Sequence, residues 1–150
     1  MGNVMSFDYL KYIGNCSSIL EGNQELPSFH DAEVYSVNLW RGDLRPDDKI
    51  WVFPTIDVAV EVPLAKEPFV VDFKFHDCSD INVNNFNYDN MIFDLVFNIE
   101  ERGFFADGKT PLPPYICVDF TYMEGPSFLS FKCFQAEVIN RRPVPEPPRR

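Results

Sequence analysis

The sequence predicts one β-rich domain of the α+β class, a mostly antiparallel sheet or sandwich carrying a short N-terminal helix. Three observations predict it. Apolar and polar residues alternate with period two through most of the chain beyond Tyr35. Clusters of Gly, Pro, Asn and Asp punctuate these runs, and the gaps are too short for repeated crossover helices, which favours antiparallel pairing. Fifteen Phe, six Tyr and two Trp supply the bulk to fill a sandwich or a strongly curled sheet. The 150 residues suffice for one such domain, and a balance of 45% hydrophobic to 24% charged residues excludes a disordered chain.

Taken in order, the elements begin with a helix capped by Ser6, on which Phe7, Leu10 and Ile13 share a face until Gly14-Asn15 ends it. A second short turn is expected from Ser17 or Ser18 to Glu21, ahead of Gly22. Strands follow. Tyr35, Val37 and Leu39 alternate with Ser36 and Asn38, and Ile56, Val58, Val60 and Val62 alternate with Asp57, Ala59 and Glu61. Phe69, Val71, Phe73 and Phe75 make a third run, Met91 to Ile99 a fourth, Ile116 to Tyr122 a fifth and Phe128 to Ile139 a sixth. The expected inward set is Val37, Leu39, Ile56, Val58, Val60, Phe73, Phe75, Phe93, Leu95, Phe97, Phe120 and Phe131. Residues 1–142 form the domain. Pro143 to Arg150, with four prolines, should be a disordered or extended tail.

Charge narrows the function. The formal net charge is −10, and four arginines lie in the last ten residues, so residues 1–140 carry nine basic against twenty-two acidic residues, a net of −13. Phosphate binding draws on clustered positive charge, so no nucleic-acid partner is expected. No apolar run approaches the roughly 20 residues that span a bilayer, and the N-terminus lacks a secretory pattern, so a cytoplasmic protein without a membrane partner is expected. Met1-Gly2-Asn3-Val4-Met5-Ser6 fits the loose N-myristoylation pattern, but no basic cluster follows it. Cys16, Cys78, Cys117 and Cys133 form no CxxC pair and read as free thiols.

No phosphate-binding glycine loop, HExxH, GxSxG elbow or EF-hand loop occurs, and nothing calls for a cofactor. The most enzyme-like possibility is the pair of echoes Phe29-His30-Asp31 and Phe75-His76-Asp77. If the strand starting near His30 lay beside the strand ending near His76, two imidazoles and two carboxylates could hold a divalent metal and activate water, giving a hydrolase. The competing explanation is that both pairs sit at strand ends, where Asp caps a turn and His bonds to backbone. A third class is a small-ligand-binding β-sandwich with Trp40 or Trp51 on the wall of a deep aromatic pocket. The five asparagines between Asn82 and Asn90 fit a structural turn between two strands. Asp43, Asp47 and Asp48 share one expected loop, and Asp57 and Glu61 share the outward face of the next strand. Together they make either a solvated surface or a patch that attracts a cationic protein.

One segment has a wider resemblance. Pro27-Ser-Phe-His-Asp-Ala-Glu-Val34, following a short helical start, resembles the entry into the first strand of a bacterial polymorphic-toxin immunity family, the one numbered fifty. Phe73–Phe75 before Asp80-Ile81-Asn82, then Asn85-Phe86-Asn87, Asn90-Met91-Ile92-Phe93-Asp94-Leu95 and Phe131-Lys-Cys-Phe-Gln-Ala-Glu-Val138, are similar to later parts of that family. The likeness covers most of residues 7–140. His-Asp-Cys-Ser-Asp after Phe75 is longer and more polar than the family pattern, and the proline-rich tail lies outside it. The resemblance implies a small cytoplasmic protein that neutralises a cognate toxin without catalysis of its own. His30, Asp31 and Asn90 match its motif, with no role assigned to them. If the toxin is a basic nuclease, Asp43, Asp47, Asp48, Asp57 and Glu61 would steer it in and Trp40 or Trp51 would anchor it.

Overall fold

Period-two patterning becomes nine strands among the described residues of the computed structural model, which are 9–22, 24–41, 53–84, 86 and 90–146. They are β1 (Ile13–Gly14), β2 (Val34–Trp40), β3 (Thr55–Val62), β4 (Phe69–His76), β5 (Ser79–Val83), β6 (Asp94–Glu100), β7 (Tyr115–Thr121), β8 (Leu129–Cys133) and β9 (Gln135–Pro143). Sheet one has the order β1-β9-β4-β3-β2 and sheet two the order β5-β8-β7-β6. Every pair is antiparallel except β1 with β9. The β-rich, antiparallel expectation therefore holds.

Two very short links join the sheets. Only Asp77-Cys78 separates β4 from β5, and only Phe134 separates β8 from β9. Because β4 pairs with β9 and β5 with β8, one two-stranded ribbon runs through both sheets and bends at these links. Strands that change sheet this way need a local bend. Asp77 supplies it with a left-handed φ of 57°, which Asp tolerates better than most side chains. The Phe134 N–H donates to the His76 carbonyl at 3.2 Å, and the Cys78 N–H to the Pro54 carbonyl at 2.9 Å, so the bend keeps its backbone bonds. Cys78 and Cys133 are buried at the bend, and a hydrogen bond with the Cys78 thiol, together with burial, pushes the Cys133 thiol well above its usual range.

Phenylalanines fill the space between the sheets. Phe75 meets Phe131 at 4.9 Å, Phe73 at 5.6 Å and Phe97 at 6.4 Å between ring centroids, and Phe29 closes on Phe73 at 6.0 Å. Each such ring removed from water contributes about 2–3 kcal/mol. Ile56, Val58, Val60, Leu95 and Phe120 are buried as expected.

Several expectations need correction. No true helix occurs among the described residues. The chain makes a 3-10 turn over residues 9–12 and then the two-residue strand β1, while Ser6 and Phe7 lie outside the described residues. So short a helix is marginal alone, and pairing Ile13 with Ala136 buries the side chain the helix would have offered. The second expected turn is a 3-10 turn at Cys16–Ser18.

Val37 and Leu39 stand opposite Val58 and Ile56, hence on the core side, but β2 is the sheet edge and Leu39 remains 44% exposed. The run from Met91 to Ile99 breaks before β6. Ile92 is buried there and Phe93 is 38% exposed, so the alternation changes phase between Ile92 and Leu95. The run from Phe128 to Ile139 is divided at Phe134 between the two sheets. β9 continues to Pro143, opposite Phe69, one residue into the expected tail. Among the described residues, no helix is long and apolar enough to cross a membrane.

Candidate functional site

The outward face of sheet one collects Trp40, Asp57, Glu61 and His76 from the singled-out residues. Side chains diagonally opposite on neighbouring strands are within reach of long or aromatic groups, and this face uses that geometry repeatedly. The Trp40 indole N–H, on β2, donates to Asp57 Oδ2 on β3 at 2.7 Å. Lys74 Nζ, directly opposite Asp57 on β4, lies 5.1 Å from the centre of the Trp40 ring. Tyr35 is the extra residue at a ladder irregularity in β2, and its hydroxyl donates to Glu61 Oε2 at 3.0 Å. Partial burial first, and the Glu61 carboxylate second, push the Tyr35 phenol up to about 12. Arg142 on β9 grips Asp72 through Nε at 2.8 Å and Nη2 at 3.1 Å, a two-pronged pair that raises the guanidinium further. His76 Nε2 and Glu137 Oε2 share a hydrogen bond of 2.6 Å.

Between these pairs the face is hollow. Ser36 and Ala59 carry small side chains, and they floor a shallow groove of about 270 Å³ walled by Asp57, Asp72, Asn140 and Ile139. The groove offers carboxylates, an amide and an exposed apolar side chain, with Trp40 beside Asp57 at its margin. Of its acids, Asp72 is neutralised by Arg142, whereas Asp57 is held by the neutral Trp40 N–H and keeps its charge.

Of the expected toxin-contacting set, the structure brings Trp40 and Asp57 together and places Glu61 on the same face. Asp43, Asp47, Asp48 and Trp51 lie outside the described residues. Asn90 is buried, and its carbonyl accepts the Val34 N–H at 3.1 Å, which ties it to the start of β2. His30 pairs with Asp31 at 3.2 Å and its ring lies 4.8 Å from that of Phe93.

The two His-Asp pairs are far apart. β2 and β4 run in the same direction on either side of β3, with Val34 level with Val71. His30 precedes β2 at one end of the sheet, whereas His76 ends β4 five residues past Val71, about 17 Å further along. His76 takes Glu137 as its carboxylate in place of Asp77. No group of three or more His, Cys, Asp or Glu among the described residues is placed to hold a metal. The echo itself is a backbone feature. In both copies the Phe is buried, the Asp has a left-handed φ (59° at Asp31, 57° at Asp77), and a buried small residue follows, Ala32 or Cys78.

Among the described residues, neither groove has Trp40 in its lining. The larger groove described, about 510 Å³ and open, lies at the opposite edge of sheet one between residues 19–22 and the β3–β4 turn, with Arg141 stacked 3.7 Å above the Phe69 ring.

Sequence reading missed two features. One is the Arg142–Asp72 pair, whose members are 70 residues apart and meet only through β4–β9 pairing. The other is the segment joining β6 and β7, residues 101–114, where the Phe104-Phe105 doublet close to Gly103 and Gly108 was the available signal. No family model, curated protein or solved structure matches this chain.

Proposed function

We propose that the chain is a non-catalytic immunity protein that binds and neutralises a cognate toxin domain in the cytoplasm, through a surface built on the outward face of sheet one. The observation that carries this reading is the Trp40–Asp57 pair, an aromatic anchor held in place by a carboxylate at the margin of an open groove. Immobilised aromatic side chains bind well because little freedom remains to be lost on association. The −13 charge of residues 1–140 supplies long-range attraction for a basic partner such as a nuclease, and the motif residues around His30, Asp31 and Asn90 support the same family.

The test takes as its probe the C-terminal domain of the protein encoded by the adjacent upstream gene. Co-expression should protect cells from that domain, and calorimetry should give one-to-one binding. Replacing Asp43, Asp47 and Asp48 together by Asn should slow association and flatten its salt dependence while dissociation changes little. Association as fast as wild type at low salt would remove the electrostatic mechanism, and absence of both protection and binding would remove the immunity reading.

A further inference from the structure

The connection between β6 and β7 is an ordered arm standing off the body. Every residue from Glu101 to Pro111 is exposed. Connections this long are uncommon in small domains and are usually functional. This one is held along its whole length. The Phe105 N–H donates to the Thr110 carbonyl at 2.8 Å, the Gly108 N–H to the Phe105 carbonyl at 2.9 Å, and the Leu112 N–H to the Gly103 carbonyl at 2.8 Å. Phe104 and Pro111 form a bridge between the two sides. At the tip the Asp107 carboxylate accepts from the backbone N–H groups of Lys109 and Thr110 and from the Thr110 hydroxyl, and these bonds lower its pKa. Gly108 takes a φ of 69°, which lets the tip close.

The base is pinned as well. Arg102 donates to the Pro113 carbonyl at 3.0 Å, and its guanidinium lies 4.9 Å from the Tyr115 ring and 5.0 Å from the Phe134 ring. Those rings stack at 5.0 Å, and Lys132 lies 5.1 Å from Tyr115. The arm is thus anchored on the same Phe134 that marks the bend between the sheets.

What the arm displays is apolar. Phe104 is 60% exposed and Phe105 49%, and neither joins the core. Adjacent exposed aromatics on an ordered element suit insertion into a partner. Charge selects the partner. Glu101, Arg102, Asp107 and Lys109 cancel, so the arm is neutral on a chain of net −10. A second copy would bring another −10 and be repelled, whereas a partner with positive charge around an apolar cleft would attract the acidic body and leave the neutral arm free to enter.

We infer that the arm carrying Phe104 and Phe105 is a docking wedge for an apolar cleft, rimmed by basic groups, on a different protein. Resting on the immunity reading, that protein is the toxin domain. The wedge is a second contact, separate from the Trp40–Asp57 face.

The experiment measures binding of the C-terminal domain encoded by the adjacent upstream gene to the full-length chain. It compares wild type with Phe104→Ala/Phe105→Ala, and follows hydrogen–deuterium exchange of residues 101–112 with and without the partner. Losing two anchors should raise Kd about 100-fold or more, mostly through faster dissociation. The Phe105, Gly108 and Leu112 amides should exchange more slowly in the complex. If wild type binds but the double variant binds equally well with unchanged melting temperature, or the arm gains no protection, the wedge is wrong and the immunity reading stands. If wild type does not bind, both fall. If wild type instead sediments as a dimer that the double variant breaks, the occupant is a second copy and the inference is overturned.

Discussion

Phe75 and Phe93 occupy equivalent places in the alternation pattern, yet the fold treats them very differently, so replacing each by alanine tests the packing directly. Phe75 is fully buried between the sheets and faces three other rings, the nearest being Phe131 at 4.9 Å. Phe75→Ala removes its transfer free energy, leaves a cavity and breaks those ring contacts, a loss of about 4 kcal/mol. Domains of this size are stable by only about 5–15 kcal/mol, so the variant should be close to unfolding or strongly weakened. At roughly 2–4 °C per kcal/mol, its melting temperature should fall by about 8–16 °C. Phe93 keeps 38% of its surface in water, and among the described residues its ring meets only that of His30. Phe93→Ala should cost about 1 kcal/mol. Urea unfolding followed by far-ultraviolet circular dichroism measures both, provided that the m-values match wild type. Equal losses, or a larger loss at Phe93, would refute the phase change at Ile92–Phe93 and return Phe93 to the core.

Three further outcomes follow from the geometry. Asp77→Gly should be tolerated or slightly stabilising while Asp77→Val loses about 1–2 kcal/mol, because φ is 57° at the bend; unfolding curves that rank the two variants the other way would contradict the bend. The Tyr35 phenol is raised to about 12 in the fold from about 10 unfolded, so its stabilisation is complete below pH 10 and lost as pH rises through 12; ultraviolet titration should show late-ionising tyrosine absorbance, part of which moves down in Glu61→Gln. Cys78 and Cys133, buried and with the Cys133 thiol pushed up, should escape a brief iodoacetamide pulse at pH 8 and be labelled once urea unfolds the chain, as read by peptide mass spectrometry.

The sequence by itself determined the elements whose packing is local and regular. Ile56 to Val62 and Phe69 to Phe75 alternate because both strands lie in the middle of a sheet with one face against the core, and a strand in that position writes its period directly into its residues. Composition likewise determined an acidic, aromatic-rich chain, and two singled-out residues, Trp40 and Asp57, do meet. Tertiary structure decided the remainder, since each such feature depends on what lies across a gap in sequence. Leu39 has the core-side parity but, among the described residues, no strand beyond β2 to complete its cover. Ile13 leaves a nascent helix because Ala136 offers a ladder to join. The division at Phe134 reads as uninterrupted strand, and only pairing β4–β5 with β9–β8 turns it into a corner. His30 and His76 share a motif and a backbone conformation, yet the direction of β2 and β4 sends them to opposite ends of the sheet. The exposure of Phe104 and Phe105 was undecidable from the residues, because a phenylalanine's burial depends on whether another surface reaches it, and here the described body does not.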